Sequence, residues 1–231
     1  MKTFIRDFKI RVDEINEYYS FVIFIDSIET HKREKISIGS FKEFAPKRDL
    51  QKILRSNCFL LLYNLVESSI RNGILSVYDS IHDDSLKYDE LSERIKEVWL
   101  SHQTRQTQLS EISLKKWLKK LMIDVSEDNQ LILEKETINI SGNLDYDNVQ
   151  KIINSYGFFG KFLVDKMDVE LALNKVKRER NLLTHGNKTF CQSGEIVTMA
   201  ELIAVKENVI KYLDELLTNI EVYIDNKRYK K

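Results

Sequence analysis

A chain of 231 residues with 7 glycines and 1 proline holds far fewer turn formers than the roughly 12 % of an average protein. That argues against turn-rich sandwiches and barrels and for a mainly α chain with one large core. Lysine plus arginine number 36 and aspartate plus glutamate 36, so no net field draws the chain to nucleic acid or membrane, and a polyanionic partner must meet a local patch. The longest apolar runs, Phe21 to Ile25 and Cys58 to Tyr63, fall well short of the roughly 18 residues of a spanning helix. Charges scattered through the first turns leave no signal-peptide core. Cys58 and Cys191, 133 positions apart, read as free thiols of a cytoplasmic protein.

The chain reads as one helical domain over residues 1–225 and a basic tail, 226–231. Phe4, Phe8, Val12, Ile15, Tyr19, Val22 and Ile25 recur at spacings of three and four and predict an amphipathic helix over 4–28. A charged connector, ETHKREKIS, follows. Pro46 is expected in the first turn of a second helix, where its missing N–H is no loss, and HDDS stops that helix after Ile81. Leu54, the run from Cys58 to Tyr63, Leu65 and Val66 leave it scarcely any solvated face, so it is expected at the centre of the bundle. Asn57, Asn64, Glu67 and Arg71, at offsets 0, 7, 10 and 14, form one polar stripe along it. That stripe is either a narrow solvated strip with a Glu67–Arg71 pair or the wall of a cleft.

Residues 86–100 and 111–123 predict two more helices, the second with Lys115, Lys116, Lys119 and Lys120 around Trp117 as a solvated face. Short alternating runs on either side of Glu127-Asp128-Asn129 predict a β-hairpin inserted at 122–141. A helix over 145–155 is broken by Gly157 and Gly160. Another over 165–185 ends at Gly186, suited to the left-handed position. The last starts at Thr198, which pairs with Glu201 as a capping box. It carries an apolar stripe to Ile224 that serves the core or a dimer.

No glycine-rich phosphate loop, dinucleotide fingerprint or nucleophile elbow occurs. His31, His82, His102 and His185 are never paired at helical spacing, so a zinc site is unsupported. Asp83 with Asp84 and Asp145 with Asp147 read as helix-end residues rather than metal ligands. Neither a metal nor a cofactor is expected.

The segment KVKRERNLLTHGN, from Lys175 to Asn187, concentrates positive charge in a neutral chain. Lys175 and Lys177, with Lys188 just beyond the segment, are the candidate RNA contacts. Arg178, Asn181 and His185, at offsets 0, 3 and 7, share a helix face, whereas Arg180 starts about 140° round from His185. The helix dipole favours imidazolium at His185 and the arginines oppose it, which suits a group that gives and takes a proton at physiological pH. RNA cleavage needs a base for the 2′-OH proton, an acid for the leaving 5′-oxygen and cations on the phosphorane. Arginine plus histidine supply these without a metal; the plainer alternative is a capping histidine beside solvated arginines.

Arg180-Asn181-Leu182-Leu183-Thr184-His185-Gly186 resembles the arginine-to-histidine motif of the HEPN superfamily, in the form with a polar residue after the arginine. The company it keeps, ILRSNCFLLLYNLVESSIRNGI, then SGNLDYDNVQKIINSYGF, then SGEIVTMAELIAVKENVIKYLDELL, is similar to the MAE-type HEPN family, close to the RiboL-PSP-HEPN group, over residues 1–225. The resemblance implies a HEPN helical bundle that forms a homodimer with two motifs in one cleft. It also implies a metal-independent endoribonuclease leaving 2′,3′-cyclic phosphate and 5′-OH ends. Carried over by residue, Arg180 and His185 are the catalytic pair and Asn181 orients or binds the phosphate. Arg178 fits the motif at the longer spacing, and the Arg-Asn dipeptide favours Arg180. Glu67 is expected to face the same cleft and hold Arg180 or His185. The family setting implies a toxin or phage-defence effector with an antitoxin or other neutralising protein. Asn187 stands where such toxins often have a modifiable tyrosine. The alternatives are a HEPN module that binds RNA or protein without cutting, and a purely structural helical partner.

Overall fold

The computed structural model describes residues 2–28, 35–39, 42–105, 115–119, 122–123, 132–133, 138, 140 and 143–231. Helix α1 (Thr3–Asp26) buries Phe4, Phe8, Ile15, Tyr19, Val22 and Ile25, the stripe read from the sequence. Next come two short strands, β1 (Ile36–Ile38) and β2 (Lys42–Phe44), paired antiparallel with Ile36 opposite Phe44 and Ile38 opposite Lys42. This small sheet lies where a charged connector was expected; the charges of THKREK conceal the alternation Ile36-Ser37-Ile38 that builds it. The hairpin expected at 122–141 lies outside the described residues, apart from six isolated positions in that stretch.

Helix α2 (Arg48–Asp83) runs for 36 residues, about 54 Å at 1.5 Å per residue, and its middle is the buried axis of the bundle. Cys58, Phe59, Leu62, Leu65, Val66, Ile70, Ile74 and Val77 are all within 1 % of full burial. Pro46 is not in its first turn. Lys47 is the extended N-cap, so the proline, with its fixed φ, ends the approach to the helix instead.

A 3-10 turn at Tyr88–Glu90 takes up the start of the stretch expected as a third helix, and α3 covers Glu93–Arg105. Residues 115–119 are helical. Helix α4 (Tyr146–Tyr156) is capped by Asp145, which accepts from the Asn148 N–H, and α5 (Lys166–Thr184) by Asp165, which accepts from Met167 and Asp168. A six-residue helix, α6 (Phe190–Glu195), is one the sequence reading lacks. Helix α7 (Met199–Asp225) lays Leu202, Val209, Leu213, Leu216, Leu217 and Ile220 into the core.

Thr198 accepts from the Glu201 N–H at 3.2 Å as expected. The reciprocal half of the capping box is missing, because the Glu201 carboxylate is engaged by Lys175. The tail also packs back on the bundle. Tyr229 is 2 % exposed, its hydroxyl donates to Asp84 at 2.8 Å, and Lys227 and Lys230 flank the same carboxylate. Those three donors, Lys227 first, hold the Asp84 carboxyl well below its ordinary range. Cys58 and Cys191 are free thiols. Among the described residues, no helix is long and apolar enough to cross a membrane.

Candidate active site

The C-terminal end of α5 carries the motif, and packing decides which of its side chains reach solvent. Val169, Ala172, Leu173, Val176, Glu179 and Leu183 face inward, toward α2 and α7. Arg178 is left exposed, and Arg180 and Asn181 half-buried at the edge. His185 is the C-cap. Its N–H donates to the Asn181 carbonyl at 3.1 Å, its side chain is exposed, and Gly186 at φ +70° turns the chain away. Lys188 N–H then closes the turn on the Leu182 carbonyl at 3.1 Å.

Arg180 is held from two sides. Its guanidinium carbon stands 4.3 Å from the centroid of the Tyr63 ring, and Nη1 donates to Asn181 Oδ1 at 2.9 Å. Arg180 and Asn181 are therefore brought together, with His185 one turn further on. No hydrogen bond or ion pair joins Glu67 to Arg180, His185 or Arg71 among the described residues. Tyr63, one turn before Glu67 on α2, takes the place at the arginine that the sequence reading gave to Glu67. Of the rest of the stripe, Asn64 is exposed and accepts from Arg11 at 3.2 Å, while Asn57 and Arg71 are half-buried and Asn57 donates to Ile53 O in its own helix.

The other contribution missing from the sequence reading is Glu179. At 3 % exposure it accepts from Ser193 Oγ at 2.8 Å and from Lys188 Nζ at 3.3 Å. This buried carboxylate ties the turn after His185 to α6. Helix α6 in turn sits hard on α2 through Gly194, where a Cβ would stand 1.8 Å from the Lys52 carbonyl oxygen. Neither residue was findable by spacing: Tyr63 closes an apolar run that looks like core, and Glu179 looks like a counter-charge in a basic run.

The three candidate lysines are all engaged. Lys175 pairs with Glu201, Lys177 with Asp145 at 2.6 Å, and Lys188 with Glu179. For Asp145, burial pushes the carboxyl up, but the Lys177 ammonium and the Asn148 N–H outweigh it and leave the group more acidic than usual. Asp145 is thus spent on a helix cap and an ion pair, and Asp84 on the tail. Among the described residues, no group of three histidine, cysteine, aspartate or glutamate side chains is arranged to hold a metal ion.

A conserved-family comparison decides the setting: the model of the MAE_28990-like HEPN family matches residues 1–229. The chain belongs to that HEPN family. Comparison with curated proteins and with solved structures gives no match. HEPN membership agrees with the mainly helical bundle and its small hairpin, and it marks the chain as a module of nuclease or RNA-binding type. In this HEPN domain the end of α5 carries Arg178, Arg180 and the exposed His185 within two turns.

Proposed function

We propose that this HEPN domain is a metal-independent endoribonuclease that acts as a homodimer, an effector of toxin or phage-defence type working on cytoplasmic RNA under the control of a neutralising protein. One observation carries the reading. Arg180 is held by an aromatic face and an amide oxygen, not by a carboxylate, five residues before an exposed histidine. Its charge and its remaining N–H donors stay available to a phosphate.

In the reaction, His185 takes the proton of a ribose 2′-OH as that oxygen attacks the adjacent phosphorus. Arg180 stabilises the charge that builds on the phosphorane oxygens, and Asn181 fixes the guanidinium. The 5′-oxygen leaves with a proton, giving a 2′,3′-cyclic phosphate and a 5′-OH. One imidazole cannot be base and acid in the same step, so His185 of a second copy is the acid. One feature supports that copy docking on α5. Met167 and Leu171, 67 % and 63 % exposed, lie in line with Arg178 and His185 at spacings of 4, 7 and 7 residues. Such a line is an apolar strip leading to the motif. Lys175, Lys177 and Lys188 border the site, and each meets RNA only by giving up its carboxylate.

The test is incubation of total RNA with the wild-type protein and with His185→Ala in EDTA. The proposal expects fragments from the wild type alone. The second reading, a module that binds RNA or protein without cutting, is favoured by the motif's holding one imidazole, His185. Tight RNA binding with no fragments from the wild type at any pH or with any divalent cation supports it instead.

A further inference from the structure

We infer that Tyr63 is the positioning residue for Arg180, an aromatic platform that fixes the plane of the guanidinium while leaving its hydrogen-bond donors to the scissile phosphate; this rests on the ribonuclease reading. The Tyr63 side chain is itself fixed at both ends. The residue is 3 % exposed in the middle of α2, and its hydroxyl accepts the Leu144 N–H at 3.3 Å, just ahead of the Asp145 cap of α4. Arg180 then lies over the ring at 4.3 Å.

The chemistry of the contact matters more than its strength. An arginine carries five N–H donors in its plane, and a carboxylate partner occupies two of them and cancels the charge. A ring takes only the face. It restricts tilt and rotation, and the edge stays free apart from the one bond to Asn181. Glu67, one turn along the same helix, offered the carboxylate solution, and the fold does not use it. The Leu144 bond adds a link: the start of α4 and the arginine bear on the same side chain.

Three variants separate this role from simple packing. Tyr63→Leu removes the ring and is expected to lower kcat about 10–100-fold, with KM within about 3-fold and the pH profile unchanged, because His185 is untouched. Tyr63→Phe keeps the ring and loses only the Leu144 bond, and it is expected to restore the rate to within about 3-fold of wild type. Arg180→Ala should make Tyr63→Leu silent in the double variant. Should Tyr63→Leu fail to fold, NMR of the wild type serves. A guanidinium on a ring face puts the Arg180 δ-protons upfield of ordinary arginine positions by ring current.

Ordinary Arg180 δ-proton positions, or a folded Tyr63→Leu that cuts RNA as fast as wild type, overturn the inference. A wild-type protein with shifted δ-protons that cuts no RNA overturns the ribonuclease reading itself and reduces the stack to a structural contact.

Discussion

Two kinds of cation sit within a few turns of α5 and its following turn, and the fold treats them oppositely. Lys175, Lys177 and Lys188 are each matched to a carboxylate, Glu201, Asp145 and Glu179. Arg178 stays exposed, and Arg180 is laid on an aromatic ring. The lysines therefore hold α5 to its neighbours, Lys177 to the cap of α4, Lys175 to the first turn of α7 and Lys188 to its own helix across the turn. Among the described residues, no carboxylate pairs with either arginine. A basic run in a neutral protein need not be one binding patch; its structural and functional charges are told apart by what each is paired with.

That contrast breaks most visibly at Arg180. Arg180→Ala is expected to slow RNA cleavage about 10²–10³-fold, as for loss of one charge-stabilising donor, without lowering Tm by more than a degree or two. Arg178→Ala is expected to cost less than about 10-fold; a reversal of the two in single-turnover rates makes Arg178 the main catalytic arginine.

Lys188→Ala strands the Glu179 carboxylate with only Ser193 for a partner. It is expected to cost about 1–3 kcal/mol, read as a lower urea midpoint with an unchanged m-value. Any loss of cleavage should then follow the folded fraction. A Lys188→Ala protein of full stability and weakened RNA affinity would move that lysine to the arginine class.

The Asp84 clasp gives a smaller effect with a definite sign. Its folded carboxyl is depressed, so the stabilisation is complete above the unfolded value of about 4 and fades as pH falls below it. Tryptic cleavage after Lys227 should be accelerated by Asp84→Asn at neutral pH, and NMR of the wild-type tail should show loosening only in acid. Smallest of all, Lys175→Ala at the partly exposed pair with Glu201 should change stability by no more than about 1 kcal/mol, with RNA affinity nearly unchanged; a drop in affinity would show that this pair opens for RNA.

Much of the fold was legible because its signals are local. A stripe at spacings of three and four gave α1 and a long apolar stripe gave α7, and Asp145, Asp165, Gly186 and Thr198 mark ends of α4, α5 and α7 with side chains or a left-handed residue. Helix α6 was not legible, since six residues carry no periodicity and its reason for existing is the close approach of Gly194 to α2. The capping box at Thr198 was half right because a tertiary partner, Lys175, competes for Glu201. Arg180, Asn181 and His185 were readable as a motif, and the structure brings the first two into contact. Their supports were not readable: Tyr63 reaches Arg180 across 117 positions of sequence, a contact that only packing of α5 on α2 creates.

The measurement that bears most directly on the central claim is end-group analysis of RNA fragments released by the wild-type protein in EDTA, beside the His185→Ala variant. The account predicts 2′,3′-cyclic phosphate and 5′-hydroxyl ends from the wild type and a rate at least about 10²-fold lower from the variant. Fragments with 3′-hydroxyl and 5′-phosphate ends, or equal cutting by His185→Ala, would contradict it.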